Sequence, residues 1–278
     1  MLTAVALLAT LAATQASDTT LPAAKGARLA VNNHSGRITV TAWSRNEVQV
    51  RATSDDEDGR LQVDTEGQEI RVRQSMRYGP VDMEIAINVP AWMPVNLQGN
   101  ETDIVVAGVT SAVRAQSVSG NITVNGGGDN VTLSSVEGDI RVDGARGTVD
   151  AQAVDGDVTL RNVTGAVSIS GMDGDILLDG VTATSARVTT VDGNITFAGA
   201  LTAGGSYAFK THDGDITLRP VGAVNATFSV ATWSGDFESA VPVTISGAQS
   251  GKRFTFTLGD GSARVDLDAF DGAIRLAK

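Results

Sequence analysis

The feature that most constrains this chain is a short phrase that returns eight times between residues 117 and 276. Two copies read "AVDGDVTL" (153–160) and "THDGDITL" (211–218). A period near twenty residues is typical of a solenoid, in which each repeat buries its apolar face only by stacking on its neighbours. The phrase glycines follow one another at intervals of 18, 18, 18, 19, 21, 21 and 37 residues: Gly120, Gly138, Gly156, Gly174, Gly193, Gly214, Gly235 and Gly272.

Apolar residues form columns when the copies are aligned on these glycines. Mostly polar residues such as Thr159 separate the columns, and this alternation predicts a half-buried strand in each copy. One column follows the glycine: Ile122, Ile140, Val158, Ile176, Ile195, Ile216, Phe237 and Ile274. The next lies two residues later: Val124, Val142, Leu160, Leu178, Phe197, Leu218 and Leu276. Another precedes the glycine: Val113, Val131, Val149, Val167, Ala186 or Val188, Tyr207 or Phe209, and Val265.

Two architectures can carry such a repeat. Each Asp-Gly could close a hairpin in an antiparallel meander, or each unit could be one coil of a parallel β-helix. The near-constant period and the stacking of like residues favour an all-β parallel β-helix with coils of about 18–21 residues. At about 4.8 Å per coil, eight or nine coils give a rod roughly 40 Å long.

The repeat motif becomes irregular toward the N-terminus, where segments of alternating apolar and polar residues are separated by turns. Gly36 and residues 99–106 look like degenerate copies of it. We therefore expect an N-terminal β cap over 17–111 that leads into β-helix repeats over 112–278, because the open end of a solenoid needs a cover.

Charge and cysteine content exclude several classes of partner and site. The net charge of −11, from 21 Lys and Arg against 32 Asp and Glu, disfavours nucleic acid and anionic membrane surfaces as partners. Cations and basic surfaces are more compatible with it. The absence of cysteine excludes disulfides, thiolate metal sites and lipoprotein attachment through a cysteine.

The first sixteen residues, "MLTAVALLATLAATQA", have the apolar run and small-residue end of a secretory signal peptide. Their apolar run is too short to span a bilayer. The sequence predicts cleavage near Ala16 and a product that is free in the periplasm or outside the cell, without membrane insertion.

A line of acids accompanies the turns and is open to three interpretations. Asp and Asn beside glycine commonly stabilise turns through hydrogen bonds to nearby backbone, and this interpretation is favoured. Stacked carboxylates about 5 Å apart repel by roughly 1 kcal/mol in water, which a weakly bound calcium ion could relieve. Catalytic acids are the least favoured interpretation. The weak calcium candidates are Asp155, Asp157, Asp173, Asp175, Asp213 and Asp215; no other cofactor is expected.

The remaining polar residues give no catalytic pattern. His212 replaces an apolar residue of its column and is predicted to be a stacked, partly buried ring one coil from Trp233, whereas His34 is predicted to be exposed. Leu177 and an arginine interrupt a partial threonine column. No nucleophile motif, metalloprotease motif or phosphate loop is present. Six arginines are expected on a solvated face: Arg114, Arg141, Arg146, Arg161, Arg187 and Arg219.

The run "INVPAWMPVNLQGNETDIVVAGV", followed by repeated G-D/N-I-x-V/L units, resembles a bacterial domain family of unknown function with β-strand repeats. Its members are usually labelled "putative adhesins" and are related to the auto-transporter adhesin head GIN domain. The resemblance extends from Ala27 to Leu276. It implies a parallel β-helix in the cell envelope and supplies no catalytic residues.

Together these observations favour a non-enzymatic exported envelope protein, adhesin-like, that presents a long surface to a glycan, a protein or a wall component. A carbohydrate-active β-helix enzyme, either a polysaccharide lyase or a hydrolase, is the first alternative. Aromatic residues, at 4% of the chain, are scarce for sugar platforms, and the acids follow a turn. A self-assembling envelope filament is the second alternative.

Overall fold

In the computed structural model the described residues are 15–54, 56, 60–75, 81–250 and 253–277, and none of them is helical. They form 23 strands: β1 (Gln15–Pro22), β2 (Arg28–Trp43), β3 (Glu47–Ser54), β4 (Leu61–Glu66), β5 (Glu69–Gln74), β6 (Asp82–Pro90), β7 (Val95–Ala107), β8 (Val113–Ser119), β9 (Ile122–Asn125), β10 (Asn130–Glu137), β11 (Ile140–Asp143), β12 (Arg146–Asp155), β13 (Val158–Arg161), β14 (Thr164–Ser170), β15 (Ile176–Asp192), β16 (Ile195–Asp213), β17 (Ile216–Pro220), β18 (Ala226–Thr232), β19 (Phe237–Ser239), β20 (Ser246–Ser250), β21 (Arg253–Leu258), β22 (Ala263–Asp271) and β23 (Ile274–Leu276).

The repeats pair in parallel, like residue on like residue. Val131 lies opposite Val113 on one side and Val149 on the other, so successive coils are offset by 18 residues. Each coil holds two short strands, and the second strands pair in the same way through β9, β11 and β13. The predicted all-β, mostly parallel architecture is confirmed, and the hairpin meander is wrong for these repeats.

Strands β15 and β16 run through a corner from one coil into the next. The register of β14, β15 and β16 places Ala186 opposite Val167, and Tyr207 opposite Ala186. This pairing assigns Ala186 and Tyr207, rather than Val188 and Phe209, to the column of Val113.

The last coil in sequence is not the last coil in space. Strand β22 pairs with β16 on one side and with β18 on the other, and β23 lies between β17 and β19. The coil of Gly272 therefore separates those of Gly214 and Gly235, although the sequence order suggested that the latter two are neighbours. At the other end, β2 lies between β7 and the pair β5 and β6.

Antiparallel strands cover both ends of the stack. Strands β3 and β4 pair antiparallel with β6 and β5, and β1 pairs with β3. At the far end β21 lies on β18 and β20 on β21. Within 17–111, the segment expected to be a cap, β2, β5, β6 and β7 already belong to the parallel stack.

The predicted signal segment falls mostly on residues 1–14, which lie outside the described residues. Strand β1 begins at Gln15. Cleavage near Ala16 would leave Ser17–Pro22 paired with β3.

The core is a set of stacked apolar columns between the two strand faces of each coil. Val131, Ile140 and Val142 are buried in this way. Toward the far end the columns become aromatic, and Tyr207 is fully buried with its hydroxyl donating to the Ala183 carbonyl at 2.6 Å. The aromatic members of the core are Phe197, Tyr207, Phe209, Phe228 and Phe256.

Seven of the eight turn glycines are required by both their φ angles and their contacts with the neighbouring coil, whereas Gly235 is required by contacts alone. Gly156 has φ of 142°, and a Cβ there would lie 2.5 Å from the carbonyl oxygen of Gly138. Gly174 has φ of 129°, and a Cβ there would lie 2.5 Å from the carbonyl oxygen of Gly156. Side chains avoid such φ values, and the crowding atom is backbone that cannot move away alone.

We therefore expect Gly156→Val to lower the free energy of unfolding by at least about 2 kcal/mol, or about 4–8 °C in melting temperature. Asp155→Asn should stay within about 0.5 kcal/mol, because its exposed carboxylate gains nothing from its like-charged neighbours. Thermal melts of both variants, with and without calcium, measure this.

If calcium is structural, the order of the two variants reverses. Asp155→Asn is then the destabilising change, and a chelator lowers the melting temperature of the wild-type protein by many degrees.

Candidate functional site

The edge formed by the stacked glycine turns carries the most unusual surface of the molecule. The residue two before each glycine points outward, and these residues stack in an exposed column that we call the apolar ridge. Its apolar members are 42–65% exposed, and His212 is exposed as well. In spatial order the ridge is Val118, Val136, Val154, Met172, Val191, His212, Phe270 and Trp233.

The parity of the strand explains why these side chains point outward. In β12, Val149, Ala151 and Ala153 are buried on alternate positions, which places Val154 on the outer face. The sequence therefore held the signal for the ridge. Counting alternate positions from the buried valine, rather than judging each residue by its hydrophobicity, would have found it.

The prediction of a partly buried His212 is wrong. The ring is exposed and stacks on Phe270, with centroids 4.7 Å apart and planes 13° from parallel. Trp233 stacks on Phe270 from the far side at 6.0 Å. The coil of Gly272 thus separates His212 from Trp233, contrary to the expected contact. His34, expected to be exposed, is half-buried.

The residue after six of the turn glycines, together with Asp103 one coil earlier, forms a hydrogen-bonded column that we call the Asx ladder. Its side-chain oxygen accepts from the backbone N–H of the equivalent residue one coil on, at 2.9 Å from Asp157 to Asp139 and 2.8 Å from Asp175 to Asp157. Asn121 and Asn194 accept in the same way. The expectation of hydrogen bonds local to one turn is wrong for this position, because the bonds join successive coils. The ladder is Asp103, Asn121, Asp139, Asp157, Asp175, Asn194 and Asp215.

An arginine sits at each end of the Asx ladder. Arg37 pairs with Asp103 at 3.2 Å, and Arg275 pairs with Asp215. Burial alone would raise the pKa of Asp215, but the hydrogen bond from the Ala273 N–H and the ion pair with Arg275 outweigh it and lower this pKa. Stabilisation from that carboxylate is present above its ordinary pKa and is lost as the pH falls through the lowered value.

The residue before six of the eight turn glycines forms a second acidic column, the acid row. Its members are Glu137, Asp155, Asp173, Asp192, Asp213 and Asp271. Ser119 donates to Glu137 at 3.1 Å and Ser234 donates to Asp271 at 2.8 Å. Among the described residues none of these carboxylates pairs with Lys, Arg or His. The acid row is thus a line of uncompensated negative charge beside the apolar ridge.

The calcium candidates divide between the two columns. Asp155, Asp173 and Asp213 belong to the acid row, whereas Asp157, Asp175 and Asp215 commit an oxygen to the Asx ladder. No group of three or more His, Cys, Asp or Glu in the described chain is arranged to hold a metal ion. Weak calcium binding stays a prediction.

Sequence reasoning missed a buried hydroxyl column directly beneath the turns. Ser117 donates to the Thr102 carbonyl at 2.8 Å, and Thr211 donates to the Gly193 carbonyl at 3.1 Å. These hydroxyls satisfy carbonyls of the preceding coil that lie close to the core. The recurrent Ser or Thr three residues before the glycine was the available signal.

The predicted arginine face is exposed at all six positions, from Arg114 to Arg219. Among the described residues, no helix has the length and apolar content needed to cross a membrane.

Comparison with known families matches residues 27–277 to the model described as Toastrack DUF4097. The chain belongs to this family. The match spans nearly the whole stack, from β2 through β23, so the repeats and the strands before them form one Toastrack unit. The further relation to the GIN domain stays a prediction. The chain matches no curated protein sequence.

Two solved structures show the same Toastrack-type fold. A "putative adhesin" from Bacteroides fragilis NCTC 9343 is 12% identical with a TM-score of 0.53, and the alignment covers 95% of this chain and 97% of that one. A "putative adhesin" from Parabacteroides distasonis ATCC 8503 is 9% identical with a TM-score of 0.50 and the same coverage. At these identities the likeness shows the fold alone.

The Asx ladder generates a paired mutational prediction. Asp157→Ala removes the acceptor of the Asp175 N–H and should cost about 1 kcal/mol of unfolding free energy. Asp157→Asn should be close to neutral, because Asn121 and Asn194 already fill this role. Denaturant unfolding measures both variants.

Asp155→Ala is the matched control, since it removes a carboxylate from the same turn but leaves the ladder intact. A loss for Asp155→Ala as large as that for Asp157→Ala would contradict the role given to the ladder.

Proposed function

We propose that this Toastrack protein is a non-enzymatic, exported cell-envelope protein, adhesin-like, that binds a partner along the turn edge. The observation that carries the proposal is the apolar ridge. The exported state rests on the signal-like segment before Ala16, and the envelope setting is supported by the names of the two structural neighbours.

The ridge is too continuous to be the ordinary scatter of exposed apolar residues. Seven of its eight members are apolar and 42–65% exposed on adjacent coils, and the largest contiguous apolar patch on a monomer is often functional. Its members sit on a rigid parallel stack, so their spacing is fixed before any partner arrives. A preformed surface loses little conformational entropy on binding.

The acids of the Asx ladder have a structural role that does not resemble glycosidase chemistry. The carboxylates of the Asx ladder hold backbone N–H groups, and the pKa of Asp103 is lowered. A general acid needs a raised pKa and a place beside a sugar ring. Phe270 is stacked between His212 and Trp233, so both of its faces are covered by neighbouring rings.

Binding through the ridge is tested with isolated bacterial envelope fragments. Wild-type protein should co-sediment with the fragments, and Val154→Thr combined with Met172→Gln should reduce the bound fraction severalfold. Val221→Thr is the matched control, because this valine is 65% exposed and lies outside the ridge. Equal bound fractions for the wild-type protein, the double variant and the control would show that the ridge does not take part in binding.

The enzymatic alternative is tested separately. The protein should release neither reducing nor unsaturated ends from a panel of pectin, alginate and peptidoglycan. Release that disappears when one acid of the turn edge is changed would show that the protein is a polysaccharide lyase or hydrolase.

A further inference from the structure

We propose that the apolar ridge and the acid row together bind a basic amphipathic helix, a polypeptide segment with one apolar stripe and Lys or Arg along one side of it. This inference rests on the proposed function, since it names the partner of the same edge. The part of the edge concerned runs from Val118 to Val191.

The charge on the two borders of the ridge differs. On one side lie Glu137, Asp155, Asp173 and Asp192 of the acid row, without a cationic partner in the described chain. On the other side the outward residues are uncharged: Gln116, Ser134, Gln152, Ser170 and Thr189. A partner complementary to both borders carries positive charge on the flank that faces the acid row and no charge on the other flank. Desolvated carboxylates gain most from such a partner, and like-charged partners are repelled.

The spacing of the ridge selects a helix over an extended strand. Ridge side chains repeat at about 4.8 Å per coil. The apolar stripe of a helix repeats at about 5.4 Å per turn, so the mismatch is about 0.6 Å per step. Alternate residues of an extended strand repeat at about 6.6–6.8 Å, and the register is lost after one or two steps.

The length of the uncharged border sets the length of the helix. Val118 and Val191 are four coil steps apart, roughly 19 Å. A helix of about 13 residues covers that distance. The accumulated mismatch is then about half a coil spacing, so a longer helix gains few further contacts.

The shape of the ridge agrees with this partner. It is one side chain wide, and the inward residue before each member, such as the buried Ala153 before Val154, leaves no second apolar column beside it. A single stripe of Leu or Ile can insert between successive ridge side chains, in the way that helix ridges pack into grooves. A broad apolar face would instead leave much of its surface uncovered.

The test uses the full chain and three synthetic peptides of equal length. The probe has a leucine stripe with lysines along one flank. The first control peptide carries glutamate in place of lysine, and the second scrambles the lysine probe so that the stripe is lost. Binding is measured by fluorescence anisotropy at low and high salt, because a contribution from exposed charges weakens as salt is added.

Two sets of variants separate the apolar and the charged contributions. Val154→Thr with Met172→Gln removes apolar contacts, and Asp155→Asn with Asp173→Asn and Asp192→Asn removes charge. All five side chains are exposed, so the fold should be kept, and circular dichroism checks it. The matched controls are Val221→Thr and Asp179→Asn, exposed residues of the same types away from the ridge.

The lysine peptide should bind the wild-type protein and the two control variants, Val221→Thr and Asp179→Asn, with equal affinity. The Val154→Thr/Met172→Gln variant and the triple asparagine variant should each bind it about tenfold more weakly or worse. The asparagine variants should also flatten the salt dependence. Equal binding to every variant, or equal binding of the glutamate or scrambled peptide, overturns the inference.

One pattern of results separates this inference from the proposed function. If an oligosaccharide, but no peptide, binds in a ridge-dependent way, the partner class is wrong and the binding edge stands. If no peptide binds and the ridge variants retain envelope binding, both proposals fall.

Discussion

Everything on the turn edge depends on the backbone contact between one glycine turn and the next. The N–H of Gly138 donates to the carbonyl of Asp155 at 2.9 Å, and Gly156 relates to Asp173 in the same way at 3.1 Å. Glycine allows the two backbones to approach this closely because no Cβ stands between them. Once the turns are in register, strand alternation directs the ridge side chains outward. The residues on either side of the glycines then stack as the acid row and the Asx ladder, and inter-coil hydrogen bonds hold the ladder.

Most of the fold could be predicted from the sequence because the repeat is a local pattern. The 18-residue spacing and the columns headed by Val113 and Ile122 contain both the parallel pairing and the identity of the inward side chains. The ridge was also predictable, since the alternation that buries Val149 turns Val154 outward. Residue type alone does not reveal it, because valine and methionine are more often buried than exposed.

Other features depend on contacts that sequence distance does not reveal. The oxygens of Asp157 and Asn194 bond to coils 18 to 21 residues away, whereas the same residues beside a glycine would support a turn within one coil. The position of Phe270 beside His212 follows from a strand that enters the stack out of order. No periodicity encodes that entry, because the intervening hairpin of β20 and β21 interrupts the repeat.

The out-of-order coil makes the stack continuous only after β22 and β23 have been synthesised. Strands β16 and β18 are separated by β22, so a chain that stops before Ala263 lacks a layer in its interior rather than at its tip. Each of the two strands then exposes a full edge of unpaired N–H and carbonyl groups, the kind of edge that recruits other chains. Loss of one terminal coil from a simple solenoid shortens it, but here the same loss divides the stack. Synthesis through β23 is therefore a condition for a continuous stack.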